Sequence, residues 1–172
     1  MKKILTVLAL AALTVVAMAQ DKIYLHSGKV IDGKVIKQEE FTIIYKYAGE
    51  DAEQTISKRA VGKIVYSSGR EETVSDKIVI NGEDDWEKVE ILMDKGEVVG
   101  LVKKDEVTGK TSGYFSGYTS AAKGDKKSQM KMLKAAAALH CPFVYMTTDN
   151  ATSGAGTFGK QGLKKGIAYN YE

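Results

Sequence analysis

Residues 125–148, DKKSQMKMLKAAAALHCPFVYMTT, hold the one clear helical pattern of the chain and decide its fold class. At the helical period one side of this segment is apolar, and it consists of Met132, Leu133, Ala136 and Leu139. The other side gathers lysines, which are Lys123, Lys127, Lys131 and Lys134. Asp125 is a suitable N-cap, and Pro142 disfavours helical geometry at the residue before it. The pattern predicts a helix over 126–139 and then a strand over 143–148.

Strand-like segments flank this helix on both sides. Residues 89–92, 97–103 and 106–111 precede it, and residues 167–171 end the chain with another. Strands, one crossover helix and further strands are typical of an α+β or split βαβ unit. The sequence therefore predicts a small α+β domain of the βαβ type, with one main helix, over residues 86–172.

The first half of the chain has no helical pattern of any length. Its β-branched and aromatic runs are short, and they occupy residues 23–25, 30–36, 41–47, 61–66 and 78–80. Short strands at this spacing predict a small all-β, barrel-like domain over residues 20–80, with a bulge at Gly33. The polar stretch 81–85, NGEDD, predicts a linker between the two domains.

The first nineteen residues have the order of a secretory signal peptide. Lys2 and Lys3 precede an apolar run over 4–17, and Ala17-Met18-Ala19 is a small-x-small cleavage site. The run is shorter than the roughly 20 residues that span a bilayer. Residues 1–19 therefore predict an exported protein, periplasmic or secreted, that keeps no transmembrane segment after cleavage. The remaining chain has 23 basic and 22 acidic side chains, so its net charge does not favour nucleic acid as a partner.

Cysteine and histidine are too few for most metal and redox sites. Cys141 is the single cysteine, which excludes an internal disulfide and a Cys-x-x-Cys site. His140 and Cys141 are half of a possible soft-metal set, but a structural zinc site needs four ligands and the other histidine is the distant His26. We favour a left-handed helix cap at His140 and a buried thiol at Cys141. A metal site and a nucleophile remain the alternatives.

Two glycine motifs resemble nucleotide sites without meeting their requirements. Residues 154–159 read GxGxxG, but five residues separate them from the preceding strand and the chain ends before a ribose-binding acid could follow. Gly109-Lys110-Thr111 lacks the earlier glycine of a phosphate loop. We therefore predict no cofactor, no metal and no catalytic residue.

The best candidate contact site is an aromatic loop between strand and helix. Tyr114, Phe115 and Tyr118 stand in a Gly/Ser setting, and loop aromatics often supply binding surface. They can equally cover the core. The lysine side of the helix could face anionic lipid, glycan or nucleic acid. Because no aromatic residues are interleaved with these lysines, a solvated face is the favoured interpretation.

Both halves of the chain show a family resemblance. Residues 107–113, 134–139 and 143–146 (VTGKTSG, KAAAAL and FVYM) resemble the small βαβ units of the YbjQ/RcsF-like group, although Leu139-His140-Cys141 stands where that group has Leu-Gly-Ala. Residues 23–25, 27–31, 33–35 and 63–66 resemble short β-rich modules of secreted proteins from Bacteroidetes-type bacteria. These resemblances imply envelope-located, non-enzymatic modules. Some YbjQ-like members are labelled heavy-metal-binding, and this chain lacks an obvious ligand set.

The expected function is therefore binding or assembly in the bacterial cell envelope. An envelope protein, peptide or glycan is the expected partner, and an oligomer is possible. The alternatives are a hydrolase-type enzyme with an unrecognised site and a metal- or oligomer-dependent envelope sensor. An enzyme should show a deep cleft with converging polar groups. A binding module should show an apolar patch or an open sheet edge.

We expect the exported protein to begin at Gln20, because the basic, apolar and small-residue regions of the leader end at Ala19. Mass spectrometry of the protein from its native host measures this directly. A mature species that retains Met1 would contradict the prediction.

Overall fold

The computed structural model describes residues 20–111, 121–152 and 161–172, which form two β-sheets and one long helix. This mixed architecture confirms the α+β class. The signal-like leader, the aromatics Tyr114, Phe115 and Tyr118, and the motif at 154–159 lie outside the described residues.

The first sheet contains six antiparallel strands in the order β4-β3-β2-β1-β5-β6. Its strands are β1 (Asp21–Leu25), β2 (Val30–Gln38), β3 (Thr42–Tyr47), β4 (Glu53–Ser57), β5 (Val61–Val65) and β6 (Glu71–Thr73). The prediction of a barrel is wrong, because within residues 20–111 no ladder joins the edge strands β4 and β6. At the end of β4 the Ser57 N–H instead donates to the Val99 carbonyl at 2.8 Å. The segment before β8 therefore contacts the edge of β4, with which β6 would have to pair to close a barrel.

The first sheet nevertheless curls strongly around an isoleucine-rich core. Ile23, Ile43 and Ile64 are fully buried on one face. Gln38 on β2 donates to Glu72 on β6 at 2.8 Å, although two strands lie between them in the sheet. The register shift on β2 falls between Val35 and Lys37, so the bulge predicted at Gly33 lies further along the strand.

The second sheet has the order β7-β9-β10-β8. Its strands are β7 (Glu90–Leu92), β8 (Val102–Lys110), β9 (Phe143–Thr152) and β10 (Gln161–Asn170). β10 runs antiparallel to both β8 and β9, so those two strands are parallel with β10 between them. A single β8 replaces the two predicted strands over 97–103 and 106–111. Residues 95–98 form a 3-10 helix, and residues 78–80 belong to no strand.

The long helix, α1 (Ala121–Ala138), begins four residues before the predicted N-cap. Asp125 is therefore inside the helix, where its carboxylate lies 3.1 Å from the Lys164 ammonium. At the other end His140 has a φ of 55°. Its N–H donates to Ala137 O at 2.9 Å, and the Cys141 N–H donates to Ala136 O at 3.0 Å. These two bonds form a Schellman motif, which confirms the cap predicted at His140.

Glycines on the second sheet let α1 lie unusually close to it. A side chain on Gly109 of β8 would overlap the Ser128 carbonyl of α1. A Cβ on Gly162 of β10 would lie 2.8 Å from the Ser128 hydroxyl and 3.0 Å from the Gly124 carbonyl, whereas one on Gly166 would first meet Val144 and Tyr145 of β9. Ser128 and Met132 are fully buried as a result.

The two sheets also contact each other. Leu92, Phe143 and Tyr171 form a small core that Leu101 and Ile78 extend. The Tyr171 hydroxyl accepts a bond from the Ile78 N–H at 3.1 Å. The predicted linker, 81–85, runs into a 3-10 helix, Glu83–Lys88, that packs on α1. The division into two folding units stays a prediction.

Gly109→Ala should lower the free energy of unfolding by about 1–3 kcal/mol, because the new methyl group meets helix backbone that can move only with the whole element. Chemical denaturation measures this change. Gly82→Ala is the matched control, since a Cβ there meets nothing within 4 Å and its φ of 162° is ordinary extended backbone. Equal effects in both variants would contradict the close packing.

Candidate functional site

An apolar groove lies between α1 and the 3-10 helix Glu83–Lys88. It has a volume of about 510 Å³, and its lining residues are Trp86, Lys126, Lys127, Gln129, Met130 and Leu133. The five helix residues fall within two turns of α1, so their side chains reach the same side of it. Trp86 faces them from the 3-10 helix and packs against the core of the second sheet. The groove thus has an apolar floor with two ammonium groups at its rim.

Two contacts connect α1 to the 3-10 helix that carries Trp86 and to the segment before it. Lys134 of α1 forms an ion pair with Glu83 at 3.1 Å, which joins the two walls of the groove. His140 lies 3.0 Å from the Ile80 carbonyl through its Nδ1 atom. Because a carbonyl can only accept, Nδ1 carries the proton of this bond. These contacts therefore connect the start of the 3-10 helix, and the segment before it, to the C-terminal half of α1 and its cap.

The rim lysines of the groove form no ion pair with a carboxylate in the described part of the chain. Lys126 and Lys127 are exposed, and neither has a carboxylate within 4 Å among those residues. Lys131 lies one turn after Lys127 and donates to the Lys110 carbonyl at 3.0 Å. Like charges at this spacing repel. Among the described lining residues the two lysines are the charged groups, whereas the facing 3-10 helix carries Glu83, Asp84, Asp85 and Glu87, of which Glu83 and Asp85 pair with Lys134 and Lys88.

Sequence reasoning missed this groove because its aromatic residue comes from another element. The sequence favours a solvated face for the lysine side of the helix, because no aromatic residue is interleaved with these lysines. The structure brings Trp86 beside Lys126 and Lys127 from forty residues upstream. The sequence contains one signal of the groove, which is the single tryptophan directly after three acidic residues. A surface turn at that position does not need a large apolar side chain.

A serine–histidine pair lies between the sheets, at His26 and Ser75. His26 Nε2 is 2.9 Å from Ser75 Oγ. The same hydroxyl lies 2.8 Å from the Val61 carbonyl and 3.1 Å from the Lys58 carbonyl. Since carbonyls only accept, the hydroxyl proton goes to the main chain and His26 donates its Nε2 proton to Ser75. A general base would need the opposite arrangement.

The surroundings of His26 agree with a structural role. Burial lowers the pKa of its imidazole, and the charge of Lys77 lowers it further. The ring packs at 5.0 Å from the Tyr171 ring. Across the three described ranges no carboxylate hydrogen-bonds its Nδ1 atom, so the orienting group of a catalytic triad is not seen there. Neutral His26 therefore connects the turn after β1 to the segment around Ser75.

In the alternative metal half-site, His140 and Cys141 each contact a main-chain carbonyl. Burial raises the pKa of the Cys141 thiol, and its sulfur lies 3.5 Å from the Leu139 carbonyl. His140 is directed to Ile80 instead. The described residues contain no cluster of three metal-ligating side chains. Gly109 and Lys110, from the phosphate-loop-like motif, belong to β8.

Comparison of the chain with protein-family models, with curated proteins and with solved structures finds no match. The resemblances seen in the sequence therefore stay predictions. Within the described ranges, no helix has both the length and the apolar character needed to cross a membrane.

Acidification from about pH 7.5 to about pH 5.5 should lower the free energy of unfolding through His26. Its folded pKa lies below the ordinary value of 6.5, so the unfolded chain binds the proton more readily and stability falls as the pH drops through that value. Denaturant unfolding at both pH values measures the fall. His26→Gln should reduce it. A fall of the same size in His26→Gln would contradict this assignment.

Proposed function

We propose that this chain is an exported, non-enzymatic binding module of the bacterial cell envelope, and that the groove beside Trp86 is its ligand site. The observation that carries the proposal is the apolar groove with Lys126 and Lys127 at its rim. Concave sites with apolar walls and a few placed polar groups are where proteins hold ligands. The groove supplies both features.

The chemistry of the groove supports binding over catalysis. Within the described residues, its lining includes neither an acid nor a histidine, serine or cysteine, and its two lysines are exposed. General acid–base and nucleophilic catalysis usually depend on such groups. The Ser75–His26 pair has its hydrogen bond in the wrong direction for a hydrolase. A hydrolytic activity abolished by Ser75→Ala would contradict our proposal.

The leader and the first strand support export. Strand β1 begins at Asp21, so cleavage after Ala19 would leave both sheets whole. The family resemblances imply the same location. An envelope protein, peptide or glycan remains the expected class of partner, and Tyr114, Phe115 and Tyr118 remain a second predicted contact just before α1.

The open sheet edges are weaker candidates for the site. Among the strands that the structure describes, β8 has a partner on one edge only, and it is largely exposed and rich in charge, with Lys103, Lys104, Asp105 and Glu106 in succession. Charged residues on an edge strand discourage pairing with another chain. An oligomer formed through this edge is therefore disfavoured relative to ligand binding in the groove.

A photoreactive diazirine analogue of lysine at position 127 should crosslink an envelope component in the native host. The same analogue at position 104 is the matched control, because Lys104 is also exposed but lies on β8. Mass spectrometry identifies the product. We expect adducts at 127 and not at 104. Equal labelling at both positions, or none at 127, would contradict the binding of an envelope component in the groove.

A further inference from the structure

The geometry points to the ligand of this groove, and we propose an amphiphile with one alkyl chain and an anionic head, of which a fatty acid is the simplest example. The inference deepens the proposed function and rests on it. It commits the groove to one occupant, a single lipid-like molecule.

The floor of the groove matches an alkyl chain. Trp86 and Met130 are half-buried, and Leu133 is only 6% exposed, so an apolar surface continues from the rim toward the core. Methionine and tryptophan suit a flexible apolar guest, because methionine adapts its shape and tryptophan supplies a large flat face. The volume of about 510 Å³ lies within the usual range of small-molecule sites.

The rim of the groove matches an anionic head. Lys126 and Lys127 are adjacent and exposed, and they lie in the N-terminal half of α1. An anion placed there has a favourable Coulomb interaction with both ammonium groups. A neutral head lacks this interaction. The charged rim therefore selects for anions, while the floor supplies most of the affinity.

Other occupants fit the groove less well. A membrane surface would need apolar side chains that protrude, whereas these line a concavity. A glycan would need several hydrogen-bonding side chains, and of the described lining residues Gln129 alone has an uncharged polar side chain. An acidic peptide would leave its backbone amides without partners on apolar walls. An alkyl chain has no such groups to satisfy.

Trp86 makes the proposal directly measurable, because it is the only tryptophan of the chain. Its fluorescence is recorded for the exported protein during titration with 12-bromododecanoate below the concentration at which that probe forms micelles. Bromine quenches tryptophan on contact. We expect saturable quenching by the brominated carboxylate and about tenfold weaker binding of 12-bromododecanol, which has the same chain without the charge.

Two charge-matched double variants test the rim. Lys126→Gln with Lys127→Gln should weaken carboxylate binding about tenfold, as expected for two partly solvated charge contacts, and should leave the alcohol unaffected. Lys103→Gln with Lys104→Gln removes equal charge from β8 and should change neither titration. Circular dichroism verifies that both variants stay folded.

Several results would overturn the inference. They are an absence of quenching, equal affinity for carboxylate and alcohol, and equal weakening by the two double variants. A crosslink at position 127 to a peptide, with no quenching by the brominated carboxylate, would overturn the lipid-like ligand while leaving the proposed function intact. Absence of that crosslink together with specific quenching would instead contradict only the envelope role.

Discussion

The close approach of α1 to the second sheet at Gly109 is the constraint on which the rest of this half depends. A glycine on β8 lets the Ser128 carbonyl lie where any other side chain would stand. Ser128, Met132, Ala136 and Ala137 then become fully buried. This contact fixes the rotation of the helix about its axis. That rotation decides which side chains enter the core and which of them border the groove beside Trp86.

A buried lysine secures the same packing from the strand side. Lys164 of β10 is 4% exposed, and its ammonium lies 2.6 Å from Asp149 on β9 and 3.1 Å from Asp125 on α1. Burial alone would lower the pKa of Lys164, but its hydrogen bonds to Asp149 and Asp125 raise it above the ordinary value. Removing both carboxylates would leave the buried ammonium of Lys164 without a counter-charge. Asp125 thus stabilises the helix through a strand and not as its cap.

The sequence predicts those features that depend on residues close together in the chain. The body of the helix, its end at His140 and the strand after Pro142 follow from spacing, capping and proline geometry within a few residues. The 3-10 helix at 95–98 is also a local feature, because Asp94 and Glu97 form a capping box at its start. The open first sheet and the continuous β8 instead depend on partners far along the chain. The groove was missed for the same reason, because Trp86 and Lys127 meet only in the folded chain.

The left-handed cap at His140 connects the fold to the proposed site. Because the helix ends in a Schellman motif, the His140 side chain is free to donate to Ile80, the residue that leads toward Trp86. Lys134 holds the same segment through Glu83, one to two turns earlier. The wall that carries Trp86 is therefore fixed to α1 at two points, while Lys126 and Lys127 lie beyond both. The histidine beside Cys141, which the sequence offers as half of a metal site, instead connects the end of α1 to the segment that leads to Trp86.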